Sequence, residues 1–152
     1  MAAHSALKTP VDSDLLQDIA VRFGTPTYVY SESIIRNRIS SLRRHLEGIP
    51  FQLSYACKAN SAPPILRVML EEDLGIDAVS PAELEIALRV GFPCSRILYS
   101  ANNMSDAEMS GAVESGVVLN IGELSRLDRF GRSYPGSTVC VRLNPKIGAG
   151  HH

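Results

Sequence analysis

Gly75-Ile76-Asp77-Ala78-Val79-Ser80-Pro81-Ala82-Glu83 changes character halfway along. Its first part is apolar and β-branched enough to read as a strand. Its second part sets a serine three residues before a glutamate, with a proline between them. In such a helix start the serine oxygen and the glutamate carboxylate satisfy N–H groups that the first turn leaves unpaired. Proline suits the first helical position because it has no N–H to lose. A strand running directly into a capped helix is a βα unit.

The same grammar recurs on both sides of this stretch. FQLSYACK (51–58), ILYS (97–100), VVLNI (117–121) and TVCVRLNP (138–145) also read as strands. With the first stretch they end near 58, 79, 100, 121 and 142. Each step of 21 residues has room for one strand, one helix and two short loops. Ser105-Asp106-Ala107-Glu108 repeats the helix start. Gly91, Gly116 and Gly131 follow the helical stretches, where a residue of positive φ commonly ends a helix, and Gly75 plays a similar part before the second strand. Further upstream, Ile35, Ile39, Leu42 and Leu46 recur at i, i+4, i+7 and i+11, which predicts an amphipathic helix over roughly 31–47. Thr27-Tyr28-Val29-Tyr30 reads as a short strand outside the repeat.

Right-handed βα crossovers build a parallel sheet, either open and doubly wound or closed into eight units. The loop after the first strand carries neither a GxGxxG nor a GxxxxGK[ST] pattern, which favours the barrel. The expected fold is therefore α/β, a (β/α)8 TIM-type barrel with only about its first five units present. A preamble over residues 1–30 containing the short strand would precede barrel residues 31–152. Closed barrels need about 200 residues or more. An incomplete one would expose the edges of its first and fifth strands, so poor solubility is expected unless those edges pair.

Composition narrows the function. The chain has 152 residues, 45% of them hydrophobic, with 15 basic and 16 acidic side chains and a formal charge of -1. No run of one sign suggests a nucleic-acid or membrane surface, and small polar ligands fit better. Cys57, Cys94 and Cys140 are odd in number and lack metal-ligand spacing, so neither a disulfide framework nor a zinc site is indicated, and a cytoplasmic location is expected. The first residues form no export signal, and no segment approaches the ~18 apolar residues of a membrane span.

Ser54-Tyr55-Ala56-Cys57-Lys58-Ala59-Asn60 places a lysine where a barrel gathers its catalytic groups, at the C-terminal end of a strand. Alternation along the strand would set Lys58 on one face with Ser54 and Ala56, both small, and turn Cys57 toward the helices as packing. An enclosed lysine becomes a nucleophilic amine, because burial disfavours its charged form, and such an amine condenses with aldehydes.

Tyr55-Ala56-Cys57-Lys58-Ala59-Asn60 resembles the YAxKAN motif of the pyridoxal-phosphate-dependent amino-acid decarboxylases built on an alanine-racemase-like barrel. Three further segments, in order, are similar to that family: Phe23-Gly24-Thr25-Pro26-Thr27-Tyr28-Val29-Tyr30 to its FGTPxYVY opening, Gly75 to Leu84 to its GxDxxSxxEL segment, and Arg142-Leu143-Asn144-Pro145 to its RxNP strand end. The resemblance spans Phe23 to His152. It implies pyridoxal 5'-phosphate as cofactor, Lys58 as the catalytic residue that carries it, and Asp77 and Arg142 as cofactor-binding partners that orient that lysine. Met104 stands where the family usually has a lysine.

The resemblance also implies a carboxy-lyase acting on a diamino acid such as meso-diaminopimelate, yielding lysine and carbon dioxide. Enzymes of ornithine, arginine, lysine or a carboxylated polyamine are the alternative, together with a non-catalytic barrel that only binds the cofactor. The partner set expected is a small amino-acid substrate and a homodimeric full-length enzyme, without nucleic acid, membrane or metal. Relatives hold the cofactor's phosphate and ring nitrogen with later residues and carry a C-terminal β-domain, here expected to be absent, so residues 1–152 are expected to be inactive alone. His151 and His152 match a histidine that follows RxNP in relatives, or are ordinary polar residues.

Overall fold

The structure, a computed structural model, describes residues 11–145; His151 and His152 lie outside them. Two compact units divide at Leu42 and Arg43.

In the first unit, α1 covers Ser13–Phe23. The sequence pattern predicts only a preamble with a short strand here. The signals were present: Asp12 caps the helix by accepting the N–H of Asp14 at 2.8 Å, Asp14 lies in the first turn and Arg22 in the last, each suited to the helix dipole. Residues 27–30, expected as a strand, form no ladder. A strand is stabilised only by a partner, and none pairs with this segment among the described residues. Helix α2, Glu32–His45, appears where the apolar spacing placed it, with Ile39 buried and Leu42 half exposed.

The second unit contains the repeat. Strands β1 (Ser54–Ala56), β2 (Gly75–Ala78), β3 (Ile97–Tyr99), β4 (Val118–Ile121) and β5 (Val139–Val141) form one sheet in chain order. Every neighbouring pair is parallel. A doubly wound sheet reverses its order at a switch point, whereas a barrel adds each strand beside the last, so this sheet is an arc of a barrel. The sequence period reappears as register. Ser54 lies opposite Gly75 and Ile76 opposite Ile97, 21 residues on; Leu98 opposes Val118 and Leu119 opposes Val139, 20 on.

Helices α3 (Pro63–Glu71), α4 (Pro81–Val90), α5 (Asp106–Glu114) and α6 (Leu124–Ser133) fill the crossovers. They cover the sheet face made by Ile76, Ala78, Ile97, Tyr99, Leu119 and Ile121, all buried. Each large apolar side chain hidden there stabilises the fold by about 1.5–3 kcal/mol. The other face carries Ala56, Asp77, Leu98, Val118 and Asn120, all only half-buried.

The helix starts differ in detail. Ser105 and Glu108 form the reciprocal box: the Glu108 N–H donates to the serine oxygen at 3.2 Å and the Ser105 N–H to the carboxylate at 2.7 Å. That backbone bond, then the serine hydroxyl, holds the Glu108 carboxyl below its ordinary range. At α4 only half the box forms. Ser80 accepts the Glu83 N–H at 3.3 Å, but Glu83 reaches one residue further back to accept the Val79 N–H at 2.8 Å.

The helix ends also depart from expectation in two places. Gly91 ends α4 at φ 109° as expected, but Gly131 lies inside α6 and the positive φ falls on Gly136. Gly75 is a glycine for room rather than for φ: a Cβ there would sit 2.9 Å from the Arg96 carbonyl oxygen and from the Ser54 hydroxyl.

Candidate active site

The C-terminal ends of the five strands bring together side chains far apart in sequence. β1 stops at Ala56, two residues short of the expected strand end, and Cys57–Ala59 makes one 3-10 turn. The turn is pinned from both sides. The Tyr55 hydroxyl donates to the Asn60 carbonyl at 3.1 Å, and Asn60 Oδ1 accepts the Ala62 N–H at 2.9 Å, so Asn60 shapes the entry to α3. Cys57 is wholly buried. Burial first, and the Glu83 carboxylate second, push its thiol up to about 11, which keeps it protonated and unreactive.

Lys58 is exposed, and among the described residues its ammonium forms no hydrogen bond or ion pair. The expectation of an enclosed amine among small neighbours is therefore corrected. The chain leaves the strand before Lys58, so strand alternation does not govern that side chain. What the turn supplies is a fixed backbone from which a free amine projects.

Asp77 stands on the half-buried face of β2, in register with Ala56 and Leu98. Its Oδ1 is closed to solvent and has no hydrogen-bond partner. Arg142 follows β5, its N–H donating to the Ile121 carbonyl at 3.0 Å, and its exposed side chain passes over Gly122. Two strands separate β2 from β5, so Asp77 and Arg142 lie about 14 Å apart along the sheet. Lys58, Asp77 and Arg142 thus occupy the same end of one sheet, but no hydrogen bond or ion pair joins them among the described residues.

Two polar residues of this face were hidden inside runs read as strands. Ser100 is buried, and its hydroxyl accepts the Asn120 side-chain N–H at 3.2 Å. Asn120 Oδ1, like Asp77 Oδ1, is closed off and unpartnered. Period-two alternation was the signal that could have found it, since Val118 and Asn120 must share a face.

Beside this pair, at the ends of β3 to β5, a cavity of about 240 Å³ is lined by Asn102, Met104, Gly122, Glu123, Arg126 and Arg142. Met104, in the position where a lysine was expected from the resemblance, is buried and anchors its loop by packing. Glu123 Oε1 steadies the same loop by accepting the Asn103 N–H at 3.2 Å. Among the described residues no three His, Cys, Asp or Glu side chains converge as a metal site.

Residues 32–152 match the family described as pyridoxal-dependent decarboxylase, pyridoxal binding domain. The diaminopimelate decarboxylase of Methanothermobacter thermautotrophicus is 44% identical over 138 residues, which are 89% of this chain and 32% of that protein. That of Streptomyces coelicolor is 37% identical over 99% of this chain and 34% of its own length. Among solved structures, the diaminopimelate decarboxylase of Helicobacter pylori complexed with L-lysine superposes with a TM-score of 0.81 at 27% identity, over 90% of this chain and 36% of that one. The chain spans about a third of the length of these relatives.

Proposed function

Because the chain belongs to the pyridoxal-dependent decarboxylase family and matches its pyridoxal-binding domain, we propose that it supplies the cofactor-carrying face of a diaminopimelate decarboxylase. The reaction would release carbon dioxide from meso-diaminopimelate and leave lysine. The relatives' shared name supports that substrate. The whole enzyme would work as a cytoplasmic homodimer; no described helix is long and apolar enough to cross a membrane.

The residues present suit the cofactor chemically. A group with an aldehyde and anionic substituents calls for a free amine and a cation, and a protonated ring or imine calls for a carboxylate. Lys58 offers the amine, Arg142 a guanidinium outside any ion pair among the described residues, and Asp77 a carboxylate oxygen in need of a donor. Bound pyridoxal phosphate supplies an electron sink for the pair left behind when carbon dioxide departs.

Lys58 Nζ would be the point at which the cofactor's aldehyde is held. Asp77 stabilises positive charge near Nζ and orients it, acting through the lysine. Arg142 holds negative charge at the far side of the sheet. Glu83, by fixing the Val79 N–H, sets the path of the chain directly after Asp77.

The observation that carries this reading is the unpaired Lys58 amine on a pinned turn at the strand ends. Borohydride reduction in the presence of pyridoxal phosphate tests it. The pyridoxyl mass should appear on the peptide containing Lys58, well above labelling of Lys8 and Lys146, and vanish in Lys58→Ala. Equal labelling of all three lysines would refute it.

A further inference from the structure

On the helix-covered side of the sheet, α3 packs against α4, but α4 and α5 make little contact with each other. Between them lies a cleft of about 450 Å³, a size that suits a small ligand. Leu84 and Leu88 from α4 and Ala107, Gly111 and Ala112 from α5 make its walls largely apolar. Gly111 sits within α5 without a positive φ, and a Cβ there would meet nothing within 4 Å. A mid-helix glycine weakens its helix relative to alanine, and neither backbone nor packing requires one here. What it does is keep the cleft wide.

Tyr99, 1% exposed, lines the cleft from β3, and its hydroxyl has no hydrogen-bond partner. Buried polar groups are nearly always paired, so this one marks a place where a partner belongs. Burial first, then the carboxylates of Glu108 and Glu83, raise its pKa and keep it protonated. The charged residues lining the cleft are Glu85 and Glu108, both acidic. Glu85 pairs with Arg89 along α4, and Glu108 accepts the Ser105 N–H. A carboxylate accepts several hydrogen bonds, so both keep capacity for another donor.

We infer that the α4/α5 cleft binds an organic cation, a primary ammonium on an apolar body, whose N–H groups donate to Glu85, Glu108 and the Tyr99 hydroxyl oxygen. An ammonium carries three donors and no acceptor, which matches three oxygens around apolar walls. An anion would face two carboxylates, and a neutral hydrocarbon would leave the hydroxyl unpaired. The hydroxyl is closed to water, so the ligand reaches it by easing α5 away from α4, a movement that their sparse contact permits. The inference is independent of the cofactor reading, because Asp77 stands on the other face of the sheet.

Titration of the 152-residue chain with 2-phenylethylammonium, followed by amide chemical shifts, tests it. Saturable shifts should centre on α4, α5 and Tyr99. The similarly sized 2-phenylethanol and 3-phenylpropionate should bind at least about tenfold more weakly, since neither offers a charged donor. Tyr99→Phe and Glu85→Gln should each weaken binding about three- to tenfold. Gly111→Leu fills the cleft and should abolish saturation, with a urea midpoint no lower than that of the wild type, because leucine favours the helix and meets no neighbour. Should that variant fail to fold, Tyr99→Phe and Glu85→Gln decide. Equal affinity for the three probes, no saturation by about 10 mM, unchanged binding in Tyr99→Phe, or shifts confined to the strand ends around Asp77 would overturn the inference.

Discussion

At the scale of the residue, Lys58 and Cys57 are neighbours with opposite fates. The turn after β1 sends the thiol inside and leaves the amine outside. Lys58→Ala should therefore abolish covalent capture of pyridoxal phosphate yet change unfolding free energy by less than about 0.5 kcal/mol, as expected of an exposed side chain without partners. A loss of more than about 2 kcal/mol in a denaturation curve would show that the lysine is structural.

Cys57 predicts an alkaline effect. Its thiol is neutral when protonated, and folding raises its pKa from 9.0 to about 11. Between those values the unfolded chain has released a proton that the folded chain keeps. Stability therefore falls as pH rises through that window, by about 1.4 kcal/mol per unit and on the order of 3 kcal/mol in all. Tyr99, raised chiefly by burial, adds in the same direction. Urea midpoints measured from pH 8 to 11 should show a shallower decline in Cys57→Ala than in the wild type. Identical slopes would contradict the assignment.

At the scale of the element, the βα unit works because its joints are specified locally. Ser105→Ala removes an acceptor from a reciprocal cap and should cost about 1 kcal/mol. Ser80→Ala should cost less, since Glu83 holds the Val79 N–H independently. Gly75→Ala is the sharper test, because the added methyl meets a backbone oxygen at 2.9 Å that cannot swing away. A loss of about 1–3 kcal/mol is expected, typical of overpacking. Thermal or urea unfolding of the three variants should rank them Gly75→Ala, Ser105→Ala, Ser80→Ala. A neutral Gly75→Ala would mean that Gly75 and the Arg96 carbonyl just before β3 do not approach this closely.

At the scale of the whole molecule, the sheet presents unpaired strands at both ends of its order. Val141 and Leu143, in and after β5, are 45% and 85% exposed, and Phe51 before β1 is 42% exposed. Backbone N–H and C=O groups in a row beside apolar surface recruit other chains. Residues 1–152 studied alone should therefore sediment with concentration-dependent mass. Replacing Val141 and Leu143 with lysine should shift the population toward monomer. A monodisperse monomer at all concentrations would show the edges to be protected. The relatives are about three times as long as this chain.

Sequence by itself determined the parts of this protein whose physics is local. A 21-residue period, caps at Ser80 and Ser105 and the αL glycine at Gly91 involve groups within a few residues of one another, so they could be read without coordinates. Lys58 could be named from its position at a strand end, and Asp77, Arg142 and the family from the resemblance that the motifs carry. Only the tertiary structure decided where β1 stops and that Lys58 is consequently exposed. It also showed that Asp77 and Arg142 are separated by two strands, and that Asn120 and Ser100 close on each other. These are matters of register, and of which polar atoms lose water when strands from distant sequence align. α1 is legible from its Asp12 cap. Residues 27–30 had the composition of a strand but lack the partner that makes one.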